Sequence, residues 1–263
     1  MRRDFQAAYG PWAVVAGASE GLGAEYAEQL AARGLNVMLI ARRRDPTLQL
    51  ARRLESTHGV ESRTLELDLA TADVAEQVRA ATQGLQIGLL VYNAAYSPIG
   101  RFVDCPLTEL TRVVDVNCRG PLVLAHHLGR EMAGRGRGGI VLVSSLAGRQ
   151  GAPFVAAYGA SKAFGLVLAE GLWGELREQG VDVLAVCAGA TRTPNYERSR
   201  PRTRPPLMES APVVTQSLAA LGRRPSMIPG FANRVAAWVL ATLLPRRSAI
   251  QIMGKTTRKM YGL

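Results

Sequence analysis

The sequence predicts an α/β fold in which helices cover both faces of a mostly parallel, doubly wound sheet. Three observations carry this prediction. The chain has 263 residues, a length that one α/β domain accommodates. Hydrophobic residues make up 48% of it, enough for a sizeable core. From residue 12 to about residue 190, short apolar runs alternate with longer helical patterns. Such a β-α-β-α series closes into parallel strands through right-handed crossovers. One domain over residues 1–263 is therefore expected.

Residues 12–16 (WAVVA), 35–41 (LNVMLIA), 60–67, 87–92, 139–143 (GIVLV) and 181–187 (VDVLAVC) read as strands buried on both faces. Helix-length segments lie near 22–33, 46–57, 71–82, 107–133 and 152–178. Ligands on such a sheet bind outside the carboxyl ends of the strands. Those ends are where chemistry is sought.

The first strand runs into Gly17-Ala18-Ser19-Glu20-Gly21-Leu22-Gly23, which opens directly into a helix. Gly17 suits a tight turn, Gly21 admits a pyrophosphate close to the backbone, and Gly23 lets helix and strand pack closely. The helix N-terminus adds free N–H groups for an anion, with Ser19 and Leu22 beside them. The second strand ends in Ala41-Arg42-Arg43-Arg44. A site for NAD calls for an acid there to bind the ribose hydroxyls, whereas Arg42 and Arg43 suit the extra phosphate of NADP(H). Arg44 reads as the outer face of a helix start. Asp68, next to Leu69 after the third strand, has two readings: an acceptor for the adenine amino group, or an N-cap for a helix starting near Thr71.

Tyr158-Gly159-Ala160-Ser161-Lys162 follows, with Ser145 upstream at the end of the fifth strand. Tyr158 and Lys162 are four residues apart and share one helix face. A neighbouring ammonium is expected to favour phenolate and to draw the phenol toward the working range of a general acid. Asn117 stands in the long helical pattern 107–133, four residues before Pro121. Proline has no N–H to give the Asn117 carbonyl, so a kink is expected, with an oxygen free to hold a water.

Together these residues resemble the short-chain dehydrogenase/reductase family from about residue 10 to about residue 255. Its glycine motif T-G-x-x-x-G-x-G appears as Ala16 to Gly23, and its N-N-A-G as Tyr92-Asn93-Ala94-Ala95. Its active-site asparagine, serine and Y-x-x-x-K match Asn117, Ser145, Tyr158 and Lys162, and its P-G-x-x-x-T appears as Ala188-Gly189-Ala190-Thr191-Arg192-Thr193. Ala16, Ala95 and Ala188 depart from the pattern, at positions that shape the cofactor bed. The stretch WAVVAGASEGLGAEYA looks most like the branch of hydroxysteroid dehydrogenases and β-ketoacyl reductases. The resemblance implies a Rossmann-type fold and an NADP(H)-dependent interconversion of carbonyl and alcohol. It further implies that Lys162 holds the nicotinamide ribose, that Thr193 contacts the carboxamide with Gly189 and Thr191 nearby, that an Asn117-bound water leads protons to solvent, and that the long helices pair into homo-oligomers. A cofactor-binding sensor that does not turn over, and a dehydratase or epimerase with the same residues, are the competing readings.

The net charge is +11, and 29 of the 32 basic residues are arginine. Biased codon usage explains such a balance, and a basic excess also attracts nucleic acid, anionic lipid or acidic partners. No recognition helix or aromatic platform supports nucleic acid. No acid follows Glu209, while eight Arg and Lys residues do. Residues 192–212 are rich in arginine and proline and are expected to form a substrate lid. Residues 231–244 read as an apolar helix rimmed by Arg223, Arg224, Arg246 and Arg247. Either it covers a lipophilic substrate pocket and packs on the core, or it offers a surface to an anionic lipophilic substrate or membrane. Residues 192–245 are thus expected to be lid and covering helices. Cys105, Cys118 and Cys187 fit no disulfide framework, and His58, His126 and His127 no metal site. Without an apolar core after Met1-Arg2-Arg3-Asp4-Phe5, the expected location is the cytoplasm.

Overall fold

The computed structural model describes residues 4–263. Phe5–Tyr9 (α1), capped by the Asp4 carboxylate, leads into Trp12–Ala16 (β1), all of whose residues are buried. Then come Gly21–Ala31 (α2), Asn36–Ala41 (β2), Arg44–His58 (α3), Ser62–Glu66 (β3), Val74–Ala81 (α4) and Ile87–Tyr92 (β4). Leu107–Val114 (α5), a π-turn over Asp115–Arg119, Gly120–Arg135 (α6), Gly138–Ser145 (β5), Ala156–Leu176 (α7) and Val181–Ala188 (β6) follow. Pro194–Arg198 (α8), Ser210–Ala220 (α9), Ser226–Met227 (β7), Phe231–Thr242 (α10) and Arg246–Tyr261 (α11) complete the chain.

The sheet has seven parallel strands in the order β3-β2-β1-β4-β5-β6-β7. The chain winds outward from β1 to β3, then crosses back to β4 on the other side of β1. That reversal leaves a crevice above the carboxyl ends of β1 and β4. Strand alternation divides the core in two: Ala13 and Val15 face Tyr26, Leu30, Leu54 and Leu218, while Trp12, Val14 and Ala16 lie in the cluster with Val78, Leu128 and Ala169.

Several expectations need correction. The third strand was expected to be buried on both faces, but none of the five residues of β3 is buried, because it is an edge strand with one neighbour. The helix expected from 71 begins at Val74. The helix expected over 107–133 is two helices joined by the π-turn, and the one expected from 152 begins at Ala156, after a turn in which Phe154 takes φ +69°. The apolar helix of the C-terminal region does not pack on the core: Ala237 is the one buried residue of α10. It is α11, absent from the sequence expectation, that returns to the body and buries Ala249, Gly254 and Thr257, with Gly254 against the Pro153 ring. Among the described residues no helix is long and apolar enough to cross a membrane.

Candidate active site

Because β1 to β6 are all parallel, the residues singled out after each of them gather at one edge of the sheet. The glycine turn folds as its composition dictates. Gly17 has φ +83°, and a Cβ there would come within 2.7 Å of the Ala94 backbone. A Cβ on Gly23 would lie 2.0 Å from the Gly17 carbonyl oxygen. Asn93 holds this turn to β4: its side-chain amide donates to the Gly17 carbonyl (3.0 Å), while the N–H groups of Asn93 and Ala94 donate to Ala16 (2.9 Å each). Ala95 continues the segment toward Tyr96, and Leu22 packs against the core.

Glu20 occupies the N-cap of α2 without making a capping bond. Its carboxylate turns instead to Arg43 (2.7 Å) and Arg198, and these guanidiniums hold it below the usual carboxylate range, Arg198 most of all. The first N–H groups of α2 thus remain open to an anion. Arg43 also donates to the Ser19 hydroxyl (2.9 Å), whereas exposed Arg42 makes no side-chain hydrogen bond or ion pair among the described residues. A glycine turn with backbone open at Gly17 and Gly21, an uncapped helix start and an exposed arginine outside any side-chain hydrogen bond or ion pair among the described residues form a donor set that fits a dinucleotide carrying an extra phosphate.

Asp68 does not cap a helix. It accepts from the Ala70 N–H (3.0 Å), closing a local turn, and pairs with Arg112 of α5. The helix it was expected to cap starts later, with Asp73 at the N-cap. Leu69 beside it is buried.

The π-turn leaves one backbone carbonyl for a side chain to satisfy. Pro121 has no N–H, so in the π register the carbonyl five residues back, that of Val116, loses its donor. The Tyr92 phenol supplies one at 2.5 Å. The turn sets Asn117 facing α7: its amide donates to the Ser161 hydroxyl (2.9 Å) and to the Tyr96 carbonyl (2.9 Å), and its oxygen accepts from the Tyr96 N–H (2.8 Å). Ser161 in turn donates to the Tyr158 carbonyl (2.7 Å). Asn117, Ser161 and Lys162 line a cavity of about 10 Å³, close to what one water needs.

Ser145 ends β5, where its side chain neighbours the Tyr158 phenol and its hydroxyl accepts from the Ala147 N–H (3.2 Å). Lys162 donates to the Val143 carbonyl (2.7 Å), and its ammonium stands 5.7 Å from the Tyr158 ring centroid. Burial draws this ammonium down to about 8. The phenol departs from expectation: burial holds Tyr158 above its ordinary value, with Ser145 opposing, rather than Lys162 pulling it down. Tyr158 is therefore a protonated phenol at neutral pH.

After β6, Gly189 backs onto Asn233 of α10, and Thr191 donates its hydroxyl to the Gly189 carbonyl (3.0 Å). Thr193 caps α8, accepting from the Tyr196 N–H (3.2 Å), while its methyl lies against the Gly21 Cα, where an added Cβ would be 3.0 Å away. Glu20, Ser161 and Tyr261 were not singled out in the sequence, and Arg198 was read only as one of the arginines of the lid. Glu20 is the one charged residue of the glycine motif Ala16 to Gly23, and that charge was the available signal. Tyr261 of α11 lies near Tyr158 although about a hundred residues separate them in the chain, and nothing local marks it. Among the described residues no group of three or more His, Cys, Asp or Glu side chains gathers at metal-binding spacing.

The strand order, with a glycine turn at its point of reversal, defines a Rossmann-type α/β fold. The chain belongs to the short-chain dehydrogenase family, whose profile matches residues 11–204, and it is an oxidoreductase of that family. It is similar to the 7β-hydroxysteroid dehydrogenase of Clostridium sardiniense, at 32% identity over 88% of this chain and 90% of that one. The very-long-chain 3-oxoacyl-CoA reductase of Anas platyrhynchos is 30% identical over 95% of this chain and 81% of its own. A structure solved in a study of 7β-hydroxysteroid dehydrogenase stereoselectivity superposes with a TM-score of 0.90 at 31% identity, covering 95% of this chain and 99% of that one. A Sphingobium yanoikuyae short-chain dehydrogenase in complex with NADPH superposes with a TM-score of 0.78 at 32% identity, covering 89% and 94%.

Proposed function

We propose that this protein interconverts a carbonyl and a secondary alcohol on a lipophilic substrate, steroid-like or long-chain ketoacyl, using NADP(H). The observation that carries the reading is the meeting of Ser145, Tyr158 and the buried Lys162 ammonium at the carboxyl end of β5, with the ammonium 5.7 Å from the Tyr158 ring centroid. When bound, NADP(H) supplies the hydride donor or acceptor. The chain supplies the rest. Ser145 orients the substrate oxygen, and Tyr158 gives it a proton from Oη in reduction or takes one in oxidation. Lys162 keeps a positive charge beneath that phenol, and the small cavity between Asn117, Ser161 and Lys162 holds a water through which the proton is replaced.

The glycine turn Gly17, Ser19, Gly21, Leu22 and Gly23 would hold the pyrophosphate, Arg42 with Arg43 the extra phosphate, and Asp68, Leu69, Asn93, Ala94 and Ala95 the adenosine side. Gly189, Thr191 and Thr193 would face the nicotinamide. Support for NADP(H) comes from the absence of an acid at Ala41 and from the NADPH in the Sphingobium structure. The similarity to steroid and very-long-chain oxoacyl enzymes supports the substrate class. Residues 192–245 serve as lid and entrance, held to the glycine turn through Arg198. Exposed Leu107, Val114, Leu122 and Val167 on the helices after β4 and β5 support pairing of two copies there, which light scattering would register as a dimer.

The test is NADPH oxidation with a steroid ketone, a long-chain ketoacyl thioester and a short neutral ketone. Turnover of either lipophilic substrate, abolished in Tyr158→Phe, supports the reading. Cofactor binding with no turnover of any of the three would favour a sensor, and loss of water or inversion without net redox a dehydratase or epimerase.

A further inference from the structure

An apolar helix with one buried residue needs an explanation. In α10, nine of twelve residues are apolar, the others being Asn233, Arg234 and Thr242, yet only Ala237 is buried. Phe231 is 75% exposed, Val235 42% and Trp238 57%. Their spacing of four and three puts them on one stripe of the helix, and Leu243, 61% exposed, follows at its end. Scattered exposed apolar side chains are ordinary, whereas a contiguous stripe marks a surface that meets something apolar.

Charge identifies what that is. The Arg234 guanidinium lies 5.9 Å from the Phe231 ring centroid, and exposed Arg246 and Arg247 open the next helix. From Ser210 to Leu263 the chain has no Asp or Glu. Two copies meeting through α10 would bring two acid-free, arginine-bearing regions together, and like charges would oppose the contact. An anionic lipid surface meets both requirements, because acyl chains accept the aromatic stripe and headgroups accept the guanidiniums. The location agrees: Asn233 of the same helix packs against Gly189 at the carboxyl end of β6, so a docked α10 brings the site edge of the sheet to the bilayer.

We propose that α10 is a peripheral docking helix that lays Phe231, Val235 and Trp238 into an anionic membrane surface, with Arg234, Arg246 and Arg247 on the headgroups. The inference does not depend on which carbonyl the enzyme reduces. It is tested by cosedimentation of the full chain with vesicles of phosphatidylcholine alone and with about 30 mol% phosphatidylglycerol. The parent should bind the anionic vesicles, release when salt rises from about 0.1 to about 0.5 M, and ignore the neutral ones. Trp238 emission should shift to the blue on binding.

Val235→Glu with Trp238→Glu should lower partitioning at least about tenfold, and Arg246→Glu with Arg247→Glu about tenfold. Thermal melting verifies that both variants are folded; if the first is not, the arginine variant and the parent's salt dependence still decide. Equal binding to neutral and anionic vesicles, no binding to either, or arginine variants that bind like the parent would overturn the proposal. So would a dimer in light scattering that Trp238→Glu dissociates, since α10 would then be covered by a second copy.

Discussion

The Arg198 guanidinium donates to the Glu20 carboxylate (Nη1 to Oε2, 2.9 Å), tying the helix that follows β6 to the glycine turn that follows β1. Arg43 reaches the same carboxylate from the end of β2 (2.7 Å). One acid thus holds two of the arginines around the place proposed for the extra phosphate, and a bound phosphate would compete with it for Arg43.

This arrangement separates the roles of neighbouring residues. Glu20→Gln removes a negative charge and releases Arg43, so NADPH should bind several-fold more tightly while NADH affinity stays unchanged. Arg42→Ala removes the arginine that makes no side-chain hydrogen bond or ion pair among the described residues. A charge-assisted contact to phosphate is worth about 1.5 to 3 kcal/mol, so NADPH affinity should fall by about one to two decades. Dissociation constants for both cofactors measure this, and equal NADPH and NADH affinities in the parent would sink the assignment.

Tyr158→Phe keeps the ring and deletes the hydroxyl proposed to exchange the proton. General acid catalysis contributes about 10² to 10⁴ in rate, so turnover should drop by that factor at unchanged NADPH affinity. A Phe variant that keeps more than about a tenth of the parent rate would remove Tyr158 from the role of acid.

The π-turn between α5 and α6 predicts a coupled pair. A Cβ on Gly120 would lie 2.2 Å from the Tyr92 phenol oxygen, so Gly120→Ala forces the phenol off the Val116 carbonyl. Overpacking and the lost bond should together cost about 1 to 3 kcal/mol, and Tyr92→Phe alone about 1 to 2. In the double variant the losses should sum to less than the singles, because the oxygen that clashes is also the one that bonds. Urea unfolding of the four proteins gives the cycle, and strict additivity would separate Tyr92 from Gly120.

The sheet was readable because buried parallel strands leave uninterrupted apolar runs. The span 12–16 and the start of the run at 181 agree with the structure to the residue. The glycine turn and the Tyr158–Lys162 spacing were equally plain, since each is one local stretch whose geometry is set by a turn or a helix period. Three things escaped. The π-turn is hidden because Pro121 reports a missing donor without saying which carbonyl loses it, and Tyr92, which restores that bond, is 24 residues upstream of Val116. The sign of the Tyr158 shift depends on how deeply the fold buries the phenol, and the Tyr-x-x-x-Lys spacing says nothing of that. The Asp68–Arg112 and Glu20–Arg198 pairs join segments 44 and 178 residues apart, and no local pattern distinguishes them from surface charge.

Lys162 carries the last prediction. Its ammonium is buried, with the Val143 carbonyl as acceptor, and burial lowers it from 10.5 to about 8. Between those values the unfolded chain holds a proton that the folded chain has released. Raising the pH therefore favours the folded state across that window, while below about 8 both states are charged and the dependence is flat. The interval of 10.5 − 8 is worth about 3 kcal/mol at 1.36 kcal/mol for each pH unit. Lys162→Met retains the stem and deletes the charge, so its stability lacks this dependence. Other groups titrate in the same range in both proteins, which makes the parent-minus-variant difference the quantity to follow. Unfolding by urea between about pH 7 and about pH 10.5 should show that difference moving in the parent's favour by up to about 3 kcal/mol. A constant difference would mean that the lysine stays charged throughout, in which case the Val143 carbonyl and the surrounding dipoles outweigh the cost of burying it.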